Sequence, residues 1–221
     1  MLKYLFLGLF CLTSLIHLYH SYINDKKNRA KTKPFLLIFL ILYYVTAAKN
    51  INAMLLAALI ASWLGDVLLI PDGHRWFIAG GISFLISHVF FILAYVPGII
   101  HYHVNWLIVI PLAIVYFTIA IRIIMAVKDN TPKMMLIPMN GYLWANSIMN
   151  VFALMQWMTL RNTGSMVAYV GAVLFFTSDC LLFLVRYHKN KDHIWRKHFL
   201  VMATYLIGEL LITVGMLMIG G

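Results

Sequence analysis

The sequence predicts an all-α fold: a polytopic membrane bundle of eight transmembrane helices. Three observations carry this. The chain of 221 residues is 63% hydrophobic and 11% charged, with a mean hydropathy of +0.88, whereas soluble domains carry roughly 25% charged residues. Its apolar residues gather into runs near the ~20 residues that cross a bilayer as a helix. Its basic residues fall between alternate runs.

The spans read, in order, as 2–23, 34–48, 53–70, 77–97, 104–126, 134–159, 165–186 and 198–219. The first is long enough to cross, and no small-residue cleavage site follows it, so it is expected to stay as a helix. The second is the shortest. It is expected to begin at Lys33-Pro34, since proline suits a first helical turn, and to end at Lys49-Asn50. Pro71-Asp72-Gly73 closes the third span and Pro97-Gly98 the fourth.

The count can be tested by charge. Of the 17 basic residues, all but Lys3, Lys49 and Arg161 fall on the side of the first, third, fifth and seventh loops. One helix more or fewer would scramble that partition. The positive-inside rule makes this side cytoplasmic and sets both termini outside. A net charge of +10 carried on short loops suits the anionic inner leaflet and argues against nucleic acid as partner. The expected location is a bacterial cytoplasmic membrane, with residues 1–221 as one integral domain, compatible with a homo-oligomer.

A faint internal repeat accompanies the spans. Leu64-Gly65-Asp66-Val67-Leu68-Leu69 in the third resembles Thr177-Ser178-Asp179-Cys180-Leu181-Leu182 in the seventh. The segments 85–92 and 206–213 also align, and Pro34 and Pro138 stand near the starts of spans two and six. The pattern suggests two parallel four-helix halves with a site where they meet.

Function is expected from the acids. Asp25, Asp72, Asp129 and Asp192 lie in connecting segments, but Asp66, Asp179 and Glu209 lie inside spans. A lone charged carboxylate there costs roughly 2.5–3.5 kcal/mol even on the lenient insertion scale. At 1.5 Å per residue, Asp66 sits roughly 6 Å and Asp179 roughly 10 Å from the cytoplasmic ends of their helices. Tyr142 lies about 12 Å, and His88 and Glu209 about 16 Å, from theirs. The outer half is expected to hold nothing comparable.

Residues four apart share a helix face. Tyr205, Glu209 and Thr213 form one stripe, and Tyr142, Asn146 and Asn150 another. Ser62 accompanies Asp66, and Ser83 and Ser87 flank His88. Such groups must face protein or water. For Ser, Thr, Asn and Tyr the plain alternative is hydrogen bonding between helices. The pairs His17/His20 and His101/His103 read as interfacial. Cys11 and Cys180 fall in spans without the spacing of a disulfide or metal framework. No metal and no cofactor is expected.

Two buried carboxyls in one pocket supply a general acid and an anion together. That combination serves reactions through an oxocarbenium ion and serves a proton relay equally. Trp63-Leu64-Gly65-Asp66 departs from the Gly-x-Gly-Asp of intramembrane aspartyl proteases, and their Tyr-Asp partner is missing. There is no His-x-x-x-His zinc motif, no Gly-x-Ser-x-Gly elbow and no phosphate-cradling glycine loop.

The ordered set Lys33-Pro34, Leu64 to Leu69, His88-x-x-x-Ile92-x-x-Tyr95, Pro138 with Tyr142, Ser178-Asp179-x-Leu181-Leu182, and Thr204-Tyr205 with Glu209-Leu210-Leu211-Ile212 resembles the YhhN-like lysoplasmalogenase family, relatives of the animal transmembrane-protein-86 enzymes. The family usually carries an amide where this chain has Glu209. The resemblance implies hydrolysis of the vinyl ether of a lysophospholipid, lysoplasmalogen, giving a fatty aldehyde and a glycerophospho-ethanolamine or -choline. One of Asp66 and Asp179 would be the acid and the other would stabilise the cation and aim water, in a water-accessible pocket; which does which stays open. His88, Tyr142, Asn146, Ser178, Tyr205 and Glu209 would orient the pair or the water, and Lys33 and Arg186 would meet the headgroup. The rivals are a small proton-coupled transporter, which requires a vestibule on each face, and a scaffold with its acids paired off.

Overall fold

The computed structural model describes residues 1–190 and 194–220. Asp192, assigned above to a connecting segment, lies outside the described residues, with Lys191, His193 and Gly221. Among the described residues there are eight α-helices and no strand: α1 Leu2–Tyr22, α2 Lys26–Ala47, α3 Ala53–Leu68, α4 His74–Tyr95, α5 Trp106–Val127, α6 Lys133–Leu160, α7 Thr163–Tyr187 and α8 Lys197–Gly220. Six of them, α1, α2, α4, α5, α7 and α8, are long and apolar enough to cross a membrane. Helix α3 has 16 residues. Helix α6 has 28, but Asn146, Asn150 and Gln156 interrupt its apolar character.

The expected start of the second span is corrected. Helix α2 begins at Lys26, so Pro34 lies inside it. Asp25 caps this helix, its side chain accepting from the Asn28 amide at 3.1 Å, and the basic run 26–33 forms the opening turns. That run is polar enough to hide the start from a hydropathy window. Asn52, Asn105 and Asn162 cap α3, α5 and α7 in the same manner, each satisfying amides that a helix start leaves open.

Helices α1 and α2, α3 and α4, and α7 and α8 form close pairs; α4 joins α6, and α1 and α2 touch α8. Small residues let the α7–α8 backbones meet. A methyl on Gly215 would lie 2.4 Å from the Ala168 nitrogen, and one on Gly171 2.6 Å from the Ile212 nitrogen. Such seams are how membrane helices gain contact where hydrocarbon gives no hydrophobic drive. The α3–α4 pair adds serines. Ser83 donates to the Ala61 carbonyl at 2.7 Å, Ser87 donates to the Ala58 carbonyl at 2.9 Å, and the Ser62 and Ser87 hydroxyls lie 2.7 Å apart. Buried apolar side chains from all eight helices form one continuous core.

One end of the bundle gathers the basic connections. Lys26 pairs with Asp72, and the Arg196 guanidinium lies over the Tyr22 ring at 4.2 Å. At the opposite end Gln156 donates to the Tyr95 carbonyl at 3.1 Å, joining α6 to α4. His101 and His103 are exposed on a 3-10 turn. His17 is buried with its Nδ1 2.7 Å from the Thr32 hydroxyl. The α1–α2 pairing folds that face inward.

Candidate functional site

Asp66 ends a helix whose neighbour is held very close. Gly65 leaves room for the Phe84 ring, which stands 2.6 Å from where a Cβ would be. The Asp66 carboxyl is 2% exposed. Tyr205 of α8 donates to Oδ2 at 2.8 Å, and the Lys33 ammonium of α2 lies 3.3 Å from Oδ1. Lys33, expected at the headgroup rim, instead turns inward and is committed to this carboxyl. The Trp63 indole donates to the Pro34 carbonyl at 2.9 Å and ties α3 to α2 beside that pair.

Asp179 of α7 is 4% exposed. Asn146 of α6 donates to its Oδ2 at 2.6 Å, and the Tyr142 hydroxyl one turn earlier is also within reach of the carboxyl. His88 Nε2 lies 3.4 Å from the same Oδ2, while its Nδ1 is 2.6 Å from the Phe84 carbonyl. A carbonyl only accepts, so Nδ1 carries a hydrogen. Nε2 is thereby left facing Asp179 at contact distance, without an aligned hydrogen bond.

Aromatic rings connect the two acids. Phe175 stands 5.0 Å from the His88 ring and 5.4 Å from the Tyr205 ring, and Tyr142 packs on His88 at 5.0 Å. Glu209, fully buried, is close enough to interact electrostatically with both aspartates. Neither of its oxygens has an aligned hydrogen bond. The nearby Ser62 hydroxyl is already occupied with Ser87.

Helices α2, α3, α4, α6, α7 and α8 thus bring Lys33, Asp66, His88, Tyr142, Asn146, Asp179, Tyr205 and Glu209 into one buried cluster. Two residues named from the sequence lie apart from it. Ser178 points the other way and donates to the Val201 carbonyl at 2.9 Å, fastening α7 to α8. Arg186 stays at the basic end, stacked 3.7 Å over the Phe77 ring.

The expected water-accessible pocket is not open to bulk solvent, because the acids are enclosed by packing. Access lies beside them. A cavity of about 230 Å³ runs between α4, α6 and α7, lined by apolar side chains and ending on Tyr142 and Phe84. Exposed Ile82 and Ile137 flank its mouth and Phe77 lines it, so it faces the side of the bundle. A second cavity, of about 330 Å³, lies at the opposite end, lined by Tyr44, Asn50, Asn52 and Gln156 among others.

A model of the YhhN family matches residues 28–216. The chain belongs to the YhhN family. Comparison with curated proteins and with solved structures gave no match. The matched region of this YhhN protein contains every residue of the buried cluster. Among its described residues no three His, Cys, Asp or Glu side chains are grouped to hold a metal ion.

Sequence reasoning named the polar members of the cluster, because an acid or histidine in an apolar span stands out. It passed over Phe84 and Phe175, which wall the cluster, because phenylalanine is unremarkable in a membrane helix. It saw Ser62 and Ser87 only as neighbours of Asp66 and His88; four-residue spacing was the signal available.

Proposed function

We propose that this YhhN protein is a membrane hydrolase that cleaves the vinyl ether of lysoplasmalogen. The observation that carries the reading is the pairing of two buried aspartates in unlike settings. Asp66 faces an ammonium and a phenol, both donors, and serves as the anion. Asp179 sits against the His88 ring and the Asn146 amide, with no lysine or arginine on it among the described residues, and serves as the acid.

The acid protonates the vinyl carbon β to the ether oxygen, and the π electrons form that C–H bond. The positive charge left on the α-carbon is shared by the ether oxygen as an oxocarbenium ion. Water adds at the α-carbon and loses a proton to the carboxylate. The resulting hemiacetal breaks its C–O bond, its hydroxyl proton passing to the leaving glycerol oxygen, and yields aldehyde and alcohol. One water is consumed and the acid is regenerated. The Asp66 carboxylate stabilises the cation, while Tyr142, Asn146 and Tyr205 hold the two carboxyls in place. The apolar side cavity accepts the single hydrocarbon chain, and Arg186 at its basic-end rim meets the phosphate. The basic end is cytoplasmic, and all eight helices cross the membrane as two parallel four-helix halves. The pairing of α4 with α6, echoed by α2 with α8, supports the two halves.

Purified protein given lysoplasmalogen in deuterium oxide tests this. The aldehyde should carry one deuterium on the carbon next to its carbonyl. Asp179→Asn should lose at least about 10²-fold in turnover, since general acid catalysis typically supplies 10²–10⁴-fold, and Asp66→Asn, which removes the stabilising anion, should also turn over more slowly. Full turnover by both folded variants, or an aldehyde without that deuterium, excludes the mechanism. Transport is the alternative reading. It predicts proton-coupled uptake into vesicles and no aldehyde.

A further inference from the structure

Buried polar atoms without partners are rare in folded proteins, and each one calls for a reason. Among the described residues of this chain they fall into two groups. Four lie on α1 and α2: Ser14 Oγ, His20 Nδ1, Ser21 Oγ and Arg29 Nε. Apart from His88 Nε2, the rest lie between the acid cluster and the far cavity: Asn150 Oδ1, Glu209 Oε1 and Oε2, Tyr95 Oη and Gln156 Oε1.

These atoms follow the bundle axis. Asn146, which holds Asp179, lies one turn from Asn150, whose amide donates to the Asn146 carbonyl and side-chain oxygens at 3.0 and 3.1 Å. Gln156 follows further along α6 and lines the far cavity. On α4, Tyr95 lies two turns beyond His88, is fully buried, and interacts electrostatically with Glu209. On α8, Met216 lies two turns beyond Glu209 and lines the same cavity. Three helices therefore present open acceptors and a hydroxyl in a row, from the cavity inward to the acids.

We infer that ordered water occupies a column from the far cavity, past Gln156 and Tyr95, to Glu209, and that this column supplies the attacking water from the membrane face opposite the basic end. A buried water makes about three hydrogen bonds to otherwise unsatisfied polar groups, and only a polar site holds one. The column offers such groups at each step, whereas the side cavity is lined almost wholly by apolar atoms. Hydrolysis consumes one water per turnover, and a lipid filling the side cavity excludes water from that direction. Glu209 is the last polar group of the column before the aspartates and acts as a positioning residue for the entering water. The supply role rests on the hydrolase reading; the hydration of the column does not.

X-ray radiolytic footprinting of the protein in lipid nanodiscs separates the two, because hydroxyl radicals formed from bound water oxidise the side chains that touch it. Tyr95 should be oxidised as readily as the exposed Tyr102. Phe176, buried against Tyr116 on the α5 side, should stay unmodified. Gln156→Leu should remove the Tyr95 label and lower kcat while leaving KM unchanged. A Tyr95 as silent as Phe176 in the unaltered protein overturns the column, whatever the activity. A label that persists unchanged in Gln156→Leu overturns the route through Gln156. A label lost as expected, in a protein that releases no aldehyde, supports the column and sinks the hydrolase reading instead.

Discussion

Lys33 reaches a buried carboxylate from a helix that its own successor, Pro34, weakens. A proline inside a helix removes one backbone hydrogen bond and crowds the carbonyl four residues before it, here that of Ala30. The Trp63 indole holds the Pro34 carbonyl and steadies the point from which Lys33 extends. Lys33→Met should therefore lower kcat more than it raises KM, as steady-state kinetics would resolve; a change confined to KM would return Lys33 to a headgroup role. Ser178→Ala should leave turnover intact and lower stability by about 1 kcal/mol, the usual worth of a hydrogen bond, read as a lower Tm. The two residues show what a sequence conveys at this scale. Asp66, Asp179 and Glu209 were legible because each is expensive in an apolar span. The direction of a serine was not, since Ser178 adjoins Asp179 in sequence but lies about 100° around the helix from it. Nor was the inward turn of Lys33, because four methylenes reach toward the lipid surface or the protein interior with equal ease.

The α7–α8 pair depends on backbones in contact. Gly215→Leu and Gly171→Leu should each destabilise the protein by at least the 1–3 kcal/mol typical of overpacking, because the nearest atoms are backbone and cannot swing aside. Gly81→Leu, where a Cβ meets nothing, should be tolerated in the same thermal assay. Helix positions were well legible: all but one of the expected spans agree with the observed helices to within a few residues. The exception, α2, extends back to Lys26 because capping by Asp25 outweighs hydropathy in deciding where a helix starts. Asp25 and Asp72 also make the basic end sensitive to acid. The Asn28 amide holds the Asp25 carboxyl below its usual range, and the Lys26 ammonium does the same for Asp72. A carboxyl with a depressed folded pKa contributes stability that is fully present above its unfolded value and is lost as pH falls through the folded one. For both groups the loss begins as pH drops toward 3.8 and continues below it. Tm followed from neutral pH into that range should fall less steeply in Asp72→Asn than in the parent protein.

Across the whole molecule, the partition of basic residues makes a topological prediction. Cysteines at Lys128 and at Arg161, each placed in a Cys11→Ser background, should react with an impermeant thiol reagent from opposite sides of sealed vesicles. Labelling of both from one side would refute the count of crossings. The partition was legible because loop charge is a sum over many residues and survives local errors. The far cavity was not, because Asn50, Asn52 and Gln156 look like ordinary helix-end residues until Tyr44, Leu55 and Met216 close around them. The side cavity has a kinetic consequence. Under the hydrolase reading its mouth between Ile82 and Ile137 opens onto the acyl chains, so a lipid substrate is counted by its mole fraction in the surrounding film, not by its molarity in the buffer. Diluting that substrate with inert detergent, at fixed total amount, should then slow turnover as surely as removing it.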